Sequence, residues 1–238
     1  MDALTKRTVL AGAAALIGFP AKADDRSEYL EYPLLDFFSN VGRGPGTPPP
    51  RDVETSAQIA RKLPTDSYLH VMRALADLTD VGTTGELFNT RWKTVANPLI
   101  VRFFHDIGYK GATYPTDCTP WCAATVSWCL QRAGLAIPLI PASSQSFLHF
   151  GTPVAEPAVG DICVFTDVED RTSGHVGLYI SRSGDTVSVL GGNQSGQSRT
   201  GCGPGFRQSR VDVAEMPINT ARDRRVGVHY LSAIVRPV

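Results

Sequence analysis

The sequence predicts an α+β domain in which the helices come first and the strands second. Up to Gly134 the apolar residues recur at helical spacing, and from Asp161 onward they alternate with polar residues over short runs. Separate runs of helices and strands are typical of α+β domains rather than of repeated βα units. The chain has 238 residues, 42% of them hydrophobic, which is enough for one sizeable core.

The charge balance argues against two classes of partner. The 23 basic and 23 acidic residues cancel, so the chain has no long-range attraction for phosphate backbones or anionic lipids. We therefore expect no nucleic-acid partner.

The only long apolar run stands at the N-terminus. A basic pair, Lys6-Arg7, precedes the apolar stretch Thr8 to Phe19, and the small-x-small triplet Ala21-Lys22-Ala23 follows it. This is the layout of a signal peptide, and the run is too short for a membrane span of about 20 residues. We therefore predict a signal peptide over residues 1–23 and a mature protein that is periplasmic or secreted, without stable membrane insertion.

Residues 24–66 are predicted to be a Pro/Gly-rich extension and linker, and residues 67–238 the folded domain with its N-terminal helices. The linker ends in Val41 to Pro50, where glycines and prolines cannot continue a helix or a central strand. Two short helices are predicted at 52–63 and 66–78, each with an aspartate as N-cap.

Capping and turn residues bracket the next elements. Asn97 as N-cap, Pro98 at the first helical position and Gly108 as the stop predict one helix. We expect the later, alternating segments to pair in an antiparallel sheet. These predicted strands cover 161–165, 175–180, 186–190 and 226–235.

A cysteine at a helix start is the strongest sign of chemistry. Thr119 as N-cap and Pro120 at the first helical position would make Cys122 the third residue of a helix. There the helix dipole and the free backbone N–H groups favour a thiolate, which is the nucleophilic form, and can stabilise an oxyanion. A buried core cysteine or half of a disulfide is the alternative.

A thiolate nucleophile needs a proton shuttle, and His175 is the best placed of the five histidines. It opens an alternating strand directly after a Ser-Gly pair, where its ring can face a cleft at the sheet edge. Packing or surface roles are expected for the other histidines, which are His70, His105, His149 and His229.

The predicted register of the hairpin suggests a third residue of the catalytic site. A turn centred on Gly184 would place Tyr179 opposite Val189 and His175 opposite Asn193. The Asn193 amide oxygen could then accept the imidazole N–H and orient the ring. A slip of one residue would turn every side chain over, and a turn position is the alternative role for Asn193.

Four motifs occur together in a characteristic order and spacing. They are Asp117-x-Thr-Pro-Trp-Cys-Ala-Ala124, Val159-Gly-Asp-Ile-Cys-Val-Phe165, Gly174-His-Val-Gly177 and Val189-Leu-Gly-Gly-Asn-Gln-Ser195. Over about residues 97–200 the sequence resembles the NlpC/P60 and CHAP cysteine amidase/peptidase superfamily, most closely its bacterial branch with TPWCAA and GGNQS motifs.

The resemblance implies a papain-like α+β core in which the nucleophile helix packs on an antiparallel sheet. It also implies hydrolysis of amide or peptide bonds in peptidoglycan stem or cross-link peptides by Cys122, with His175 as base and Asn193 as the orienting residue. Many CHAP members carry a glutamate just before the asparagine, where this chain has a glycine pair. Three adjoining residues are expected to contact the substrate: Asp117, Trp121 and Gln194.

Four cysteines remain besides Cys122, and an exported protein meets an oxidising compartment. One free thiol plus two disulfides fits the odd count, with Cys118 to Cys202 as the preferred pair, whereas Cys129 and Cys163 could instead be core residues. A single Cys-x₃-Cys pair lacks the second ligand pair of a zinc framework, so neither a metal nor another cofactor is expected.

The predicted function is therefore an exported cysteine hydrolase of peptidoglycan peptides. A catalytically silent wall-binding or structural module of the same fold is the alternative, because a fold does not determine a function. Cys-His chemistry on an acyl group of a lipid or another protein is a third hypothesis. The sequence does not identify a protein inhibitor or immunity partner.

Overall fold

A computed structural model describes residues 46–111, 115–194, 208–218 and 229–238. The predicted signal peptide, most of the predicted extension, Cys202 and the first three residues of the predicted late strand lie outside these ranges. Among the described residues, none of the helices is long and apolar enough to cross a membrane.

The described part of the chain contains four α-helices, a 3₁₀ helix and six strands. The helices are α1 (Pro50–Lys62), α2 (Tyr68–Ala76), α3 (Pro98–Asp106) and α4 (Cys122–Arg132), and the 3₁₀ helix is Ser144–His149. The strands are β1 (Thr152–Pro153), β2 (Ile162–Asp167), β3 (Gly174–Ser183), β4 (Thr186–Gln194), β5 (Arg210–Pro217) and β6 (His229–Arg236).

The six strands form one antiparallel sheet in the order β1-β6-β2-β3-β4-β5. One face joins the helices in the main core, where Val164, Val176 and Leu190 pack in the same cluster as residues of α2, α3 and α4. The other face holds a smaller cluster around Phe165 and Val189. Helices against an antiparallel sheet confirm the predicted α+β class.

The aspartate caps predicted for the first two helices are wrong. Helix α1 begins at Pro50, which suits the first helical position because it has no N–H to leave unpaired. Asp52 lies inside α1 and is buried, and its carboxylate accepts hydrogen bonds from the amide (2.9 Å) and hydroxyl (2.6 Å) of Thr83. Helix α2 is capped by Ser67, whose hydroxyl accepts the amide of His70 at 3.1 Å.

The described end of the predicted extension belongs to the folded body. Ile59, Ala60 and Leu63 of the first helical segment are buried in the main core. Gly46 bridges to Val95, with its amide donating to the carbonyl of Thr94 at 2.9 Å. The segment predicted as a linker is therefore held in place from residue 46 onward.

Helix α3 confirms the prediction made for it. The side-chain oxygen of Asn97 accepts the amide of Leu99 at 2.9 Å, Pro98 is the first helical residue, and Gly108 follows the helix end with φ +69°. Strands β2, β3, β4 and the described part of β6 fall on predicted segments. Strands β1 and β5 were not predicted.

The β3–β4 hairpin reaches the predicted pairing by a different route. Its turn is Gly184-Asp185, with Ser183 opposite Thr186, so it is not centred on Gly184 alone. A bulge at Ile180 then shifts the register by one residue, and Tyr179 faces Val189 as predicted. The pairing ends at Leu178 opposite Leu190. The ladder therefore does not extend to a pair between His175 and Asn193.

Candidate active site

Helix α4 begins at Cys122, two residues later than predicted. Trp121 is the N-cap and makes no side-chain capping bond, so Cys122 is the first helical residue rather than the third. The hydroxyl of Thr119 instead accepts the amide of Thr116 at 3.1 Å within a turn before the helix. The Thr119 hydroxyl is therefore engaged in this turn and does not cap the helix.

The Cys122 sulfur is enclosed by backbone. The residue is 4% exposed, and burial raises the pKa of its thiol. Backbone hydrogen bonds from Val176, from Ala123 and from Cys122 itself lower that pKa in part. Val176 follows His175 in β3, so the structure brings the predicted nucleophile to the start of the strand that carries the predicted base.

His175 is buried on the other side of β3. It is 8% exposed, and its ring centroid lies 6.5 Å from that of Phe165 in the smaller cluster. Burial lowers the pKa of His175 to about 4, with the positive charge of His229 as a second cause. Its Nε2 atom is buried without a hydrogen-bond partner. A neutral imidazole with an open nitrogen can accept a proton, as a general base must.

Asn193 lies in a bulge of β4. The bulge falls between Gly191 and Gln194, and Asn193 has φ +58°, a left-handed conformation that Asn tolerates better than most residues. Within the described residues, the Asn193 amide makes no hydrogen bond to His175. The orienting role of Asn193 therefore stays a prediction.

Gln194 secures that bulge. The side chain is 4% exposed, and its amide nitrogen donates to the carbonyls of Val189 at 2.9 Å and Asp212 at 3.0 Å. It thus joins β4 to β5 beside the site.

Asp117 and Trp121 are also enclosed. Asp117 is 1% exposed, and one carboxylate oxygen accepts the amides of Trp92 (2.9 Å) and Asn97 (3.0 Å). Burial raises the pKa of Asp117 to about 6, against the lowering effect of these two amides. Trp121 is fully buried, and its indole nitrogen has no hydrogen-bond partner. These side chains support the frame of the site, and substrate contact by Asp117, Trp121 or Gln194 stays a prediction.

A glycine pair allows α4 to approach the sheet. A Cβ atom on Gly192 would lie 2.3 Å from Thr125 Oγ1 and 2.7 Å from Trp121 Cζ3, both in the first turn of α4 or its cap. One on Gly191 would lie 3.3 Å from the carbonyl oxygen of Val176. Sequence analysis did not assign these glycines a role, although a glycine pair inside a strand indicates close approach of another segment.

The free cysteines contradict the predicted arrangement with two disulfides. Cys122, Cys129 and Cys163 are all free thiols, so the arrangement with two disulfides is wrong. Cys129 and Cys163 are buried in the core, and burial raises the pKa of both thiols, that of Cys163 to about 12. Among the described residues no cluster of three or more His, Cys, Asp or Glu side chains is placed to hold a metal.

Comparison with known proteins identifies the segment that contains this site. Residues 109–193 match the family described as CHAP domain, a span that includes Cys122, His175 and Asn193. A search of curated proteins finds no match. The family match indicates a peptidoglycan-related hydrolase or amidase. The α+β fold is consistent with this match, and residues 109–193 are thus similar to the CHAP domain family, which lies within the NlpC/P60 and CHAP cysteine peptidase/amidase superfamily.

Proposed function

We propose that this protein is an exported cysteine hydrolase that cleaves amide or peptide bonds in the stem or cross-link peptides of peptidoglycan. One observation carries the proposal: Cys122 begins α4, and α4 packs against β3, the strand that carries His175. Nucleophilic attack on a carbonyl requires a thiol with a general base within its reach, and the neutral imidazole of His175 is the base in this proposal.

The proposed reaction starts from a neutral pair. Because burial raises the pKa of Cys122 and lowers that of His175 to about 4, the thiol keeps its proton before substrate binds. His175 then accepts that proton as the sulfur attacks the carbonyl carbon, and backbone N–H groups of the first turn of α4 stabilise the oxyanion. The imidazolium returns the proton to the leaving amine, and water hydrolyses the thioester. Asn193 is proposed to orient the imidazole.

Export and a disulfide complete the proposal. The signal-peptide layout of residues 1–23 supports export to the periplasm or the medium. A bond between Cys118 and Cys202 is proposed because Cys122, Cys129 and Cys163 are free thiols, which leaves these two cysteines to pair. We expect mass mapping of the exported protein to give an N-terminus at Asp24, and retention of Met1 in exported material would contradict this.

Digestion of purified sacculi, with mass identification of the released fragments, tests the hydrolase directly. We expect Cys122→Ala to abolish release, and His175→Ala to lower turnover at least about 100-fold, the usual scale for a lost general base. Cys129→Ala is a matched control, because it truncates another buried thiol of the same helix and should retain turnover.

A different outcome is expected if the protein is a catalytically silent wall-binding module. Wild-type protein would then bind sacculi without releasing fragments, and Cys122→Ala would bind equally well. Hydrolysis that survives Cys122→Ala would instead show that another residue is the nucleophile.

A further inference from the structure

The 3₁₀ helix Ser144–His149 contacts β2 and β3, and one of its side chains is hydrogen-bonded to β2. The side-chain nitrogen of Gln145 donates to the carbonyl of Phe165 at 2.9 Å, and its side-chain oxygen accepts the hydroxyl of Thr166 at 2.8 Å. A backbone carbonyl can only accept, so the nitrogen end of this amide must face Phe165. Gln145 thus binds two consecutive residues of β2 with its two ends.

These two residues lie opposite the start of β3. In the antiparallel ladder Phe165 faces His175, and Thr166 faces Gly174. Strand side chains alternate between the two faces of a sheet, so the Thr166 side chain lies on the face opposite to the His175 ring. Gln145 therefore binds β2 from the face opposite to the imidazole, and it acts on His175 through the paired backbone and not through contact with the ring.

The amide of Gln145 is held by further bonds. Its nitrogen also donates to the hydroxyl of Ser144 at 3.2 Å. The Thr166 hydroxyl that it accepts is itself hydrogen-bonded to the hydroxyl of Ser232 in β6, and Thr166 is only 4% exposed. The amide therefore has three partners on both of its ends, and these bonds hold the 3₁₀ helix and β2 in one relative position.

Gly174 leaves room for this amide directly before His175. A Cβ atom on Gly174 would lie 2.5 Å from the Gln145 side-chain nitrogen and would also overlap the carbonyl oxygen of Phe165. The φ of Gly174 lies outside the left-handed region, so the glycine is required by close packing and not by its backbone conformation. A larger residue would displace either the amide or the start of β3.

We propose that Gln145 is a positioning residue for the base of the proposed reaction: its amide joins the 3₁₀ helix to β2 opposite His175 and so fixes where β3 places the imidazole. This inference rests on the proposed function in taking His175 as the base. Proton transfer needs the base to be held closely, and a misplacement of about 1 Å can cost about 100-fold in rate.

The test keeps the shape of Gln145 and removes its donor. In Gln145→Glu, a carboxylate oxygen replaces the nitrogen and repels the Phe165 carbonyl, whereas the other oxygen can still accept the hydroxyl of Thr166. We expect fragment release from sacculi to slow by about 10-fold to 100-fold near neutral pH. Wild-type release by folded Gln145→Glu would overturn the proposal.

A second readout follows His175 whether or not sacculi are cleaved. In protein with isotope-labelled histidine, the NMR signal of the His175 ring is assigned by its loss in His175→Ala, and its titration gives the pKa. Displacement of β3 admits water to the ring, so the pKa of His175 should rise in Gln145→Glu from about 4 toward the ordinary 6.5. A residue that only adds stability would leave this pKa unchanged in the folded protein, and that result would also overturn the proposal.

Ser146→Ala is the matched control. Ser146 is the next residue of the 3₁₀ helix, and its hydroxyl donates to the carbonyls of Ile140 and Ser143, both at 2.7 Å, rather than to β2. Its removal should leave both the His175 titration and fragment release at wild-type values. An equal change in Ser146→Ala would show that any loosening of this helix suffices, and would reject a specific role for Gln145.

A further variant applies if Gln145→Glu does not fold. Thr166→Val keeps the size of the side chain and removes the hydroxyl that the Gln145 oxygen accepts. The pKa of His175 should then rise in the same direction by a smaller amount, because the bond from Gln145 to Phe165 remains. A wild-type His175 titration in folded Thr166→Val would contradict the proposal.

The two readouts separate this inference from the proposed function. If the wild-type protein leaves sacculi intact but the His175 titration shifts in Gln145→Glu, the hydrolase is rejected and the positioning of His175 by Gln145 is kept. If wild type and Gln145→Glu digest sacculi equally well, the hydrolase is kept and the positioning role is rejected.

Discussion

Cys122 and His175 are both neutral at rest, and this shapes how the site works. The sequence alone favours a thiolate at the helix start, but burial raises the pKa of Cys122 despite three backbone donors. Burial also lowers the pKa of His175 to about 4, so the imidazole does not hold a compensating charge. Charge separation must therefore be created during the reaction, where oxyanion and imidazolium form together.

The bulge at Asn193 allows its amide to be tested without backbone strain. Asn193→Gly removes the amide and suits φ +58°, so the free energy of unfolding should stay level or rise, because an L-residue there costs about 1 kcal/mol. If the amide orients His175, turnover on sacculus fragments should fall by about 10-fold to 1,000-fold. Asn193→Asp should recover part of the rate, since a carboxylate accepts the same bond. Normal turnover in Asn193→Gly would limit Asn193 to a turn role.

At the scale of elements, helix caps differ in how strongly they hold the fold. Asn97 is fully buried and, besides capping α3, donates to the carbonyls of Phe88 at 2.8 Å and Thr90 at 2.7 Å. Asn97→Ala should therefore lower the free energy of unfolding by about 3 to 5 kcal/mol, from a lost cap and two unsatisfied carbonyls. Urea unfolding measures this.

The exposed cap of α2 is the comparison. Ser67 makes a single bond to the amide of His70 at 3.1 Å in a solvent-exposed setting. Ser67→Ala should cost about 1 kcal/mol or less. Equal losses in the free energy of unfolding for the two variants would show that the hydrogen bonds donated by the buried Asn97 amide do not contribute to stability.

Elements with local signals could be predicted, and those decided by distant contacts could not. Helix α3 has its cap, first residue and stop within the segment itself. The start of α4 depends on Thr119 bonding to Thr116, which competes with capping. Strand β5 was not predicted because its apolar and polar residues do not alternate regularly. Val213, which is 48% exposed, is followed directly by Ala214. The bulge at Ile180 leaves no signature in the sequence.

The same limit applies to the site. The motifs identify Cys122 and His175 because their residue types carry chemistry. Asp117 and Gln194 stand within the motifs, but their use as internal acceptor and donor depends on partners outside the motifs, which are Trp92 and Asp212.

For the molecule as a whole, two buried titratable groups act on stability in opposite directions. Asp117 has a folded pKa of about 6, above its ordinary 3.8. Its contribution to stability is therefore full below pH 3.8 and is lost as pH rises through 6. His175 has a folded pKa of about 4, below its ordinary 6.5, so its contribution is full above 6.5 and is lost as pH falls through 4. Each shift corresponds to about 3 kcal/mol.

We expect these two contributions to offset each other in the wild-type protein between about pH 4 and pH 6.5. Asp117→Asn keeps an oxygen for the two amides and cannot ionise, so relative to wild type its free energy of unfolding should rise by about 3 kcal/mol across that window. His175→Gln removes the opposite contribution. Its free energy of unfolding relative to wild type should therefore fall by a similar amount as pH rises across the window. The measurement is urea unfolding at half-unit steps of pH, with the double variant as control, in which both differences should vanish. A single variant whose pH dependence parallels wild type would show that the substituted group does not titrate with a shifted pKa.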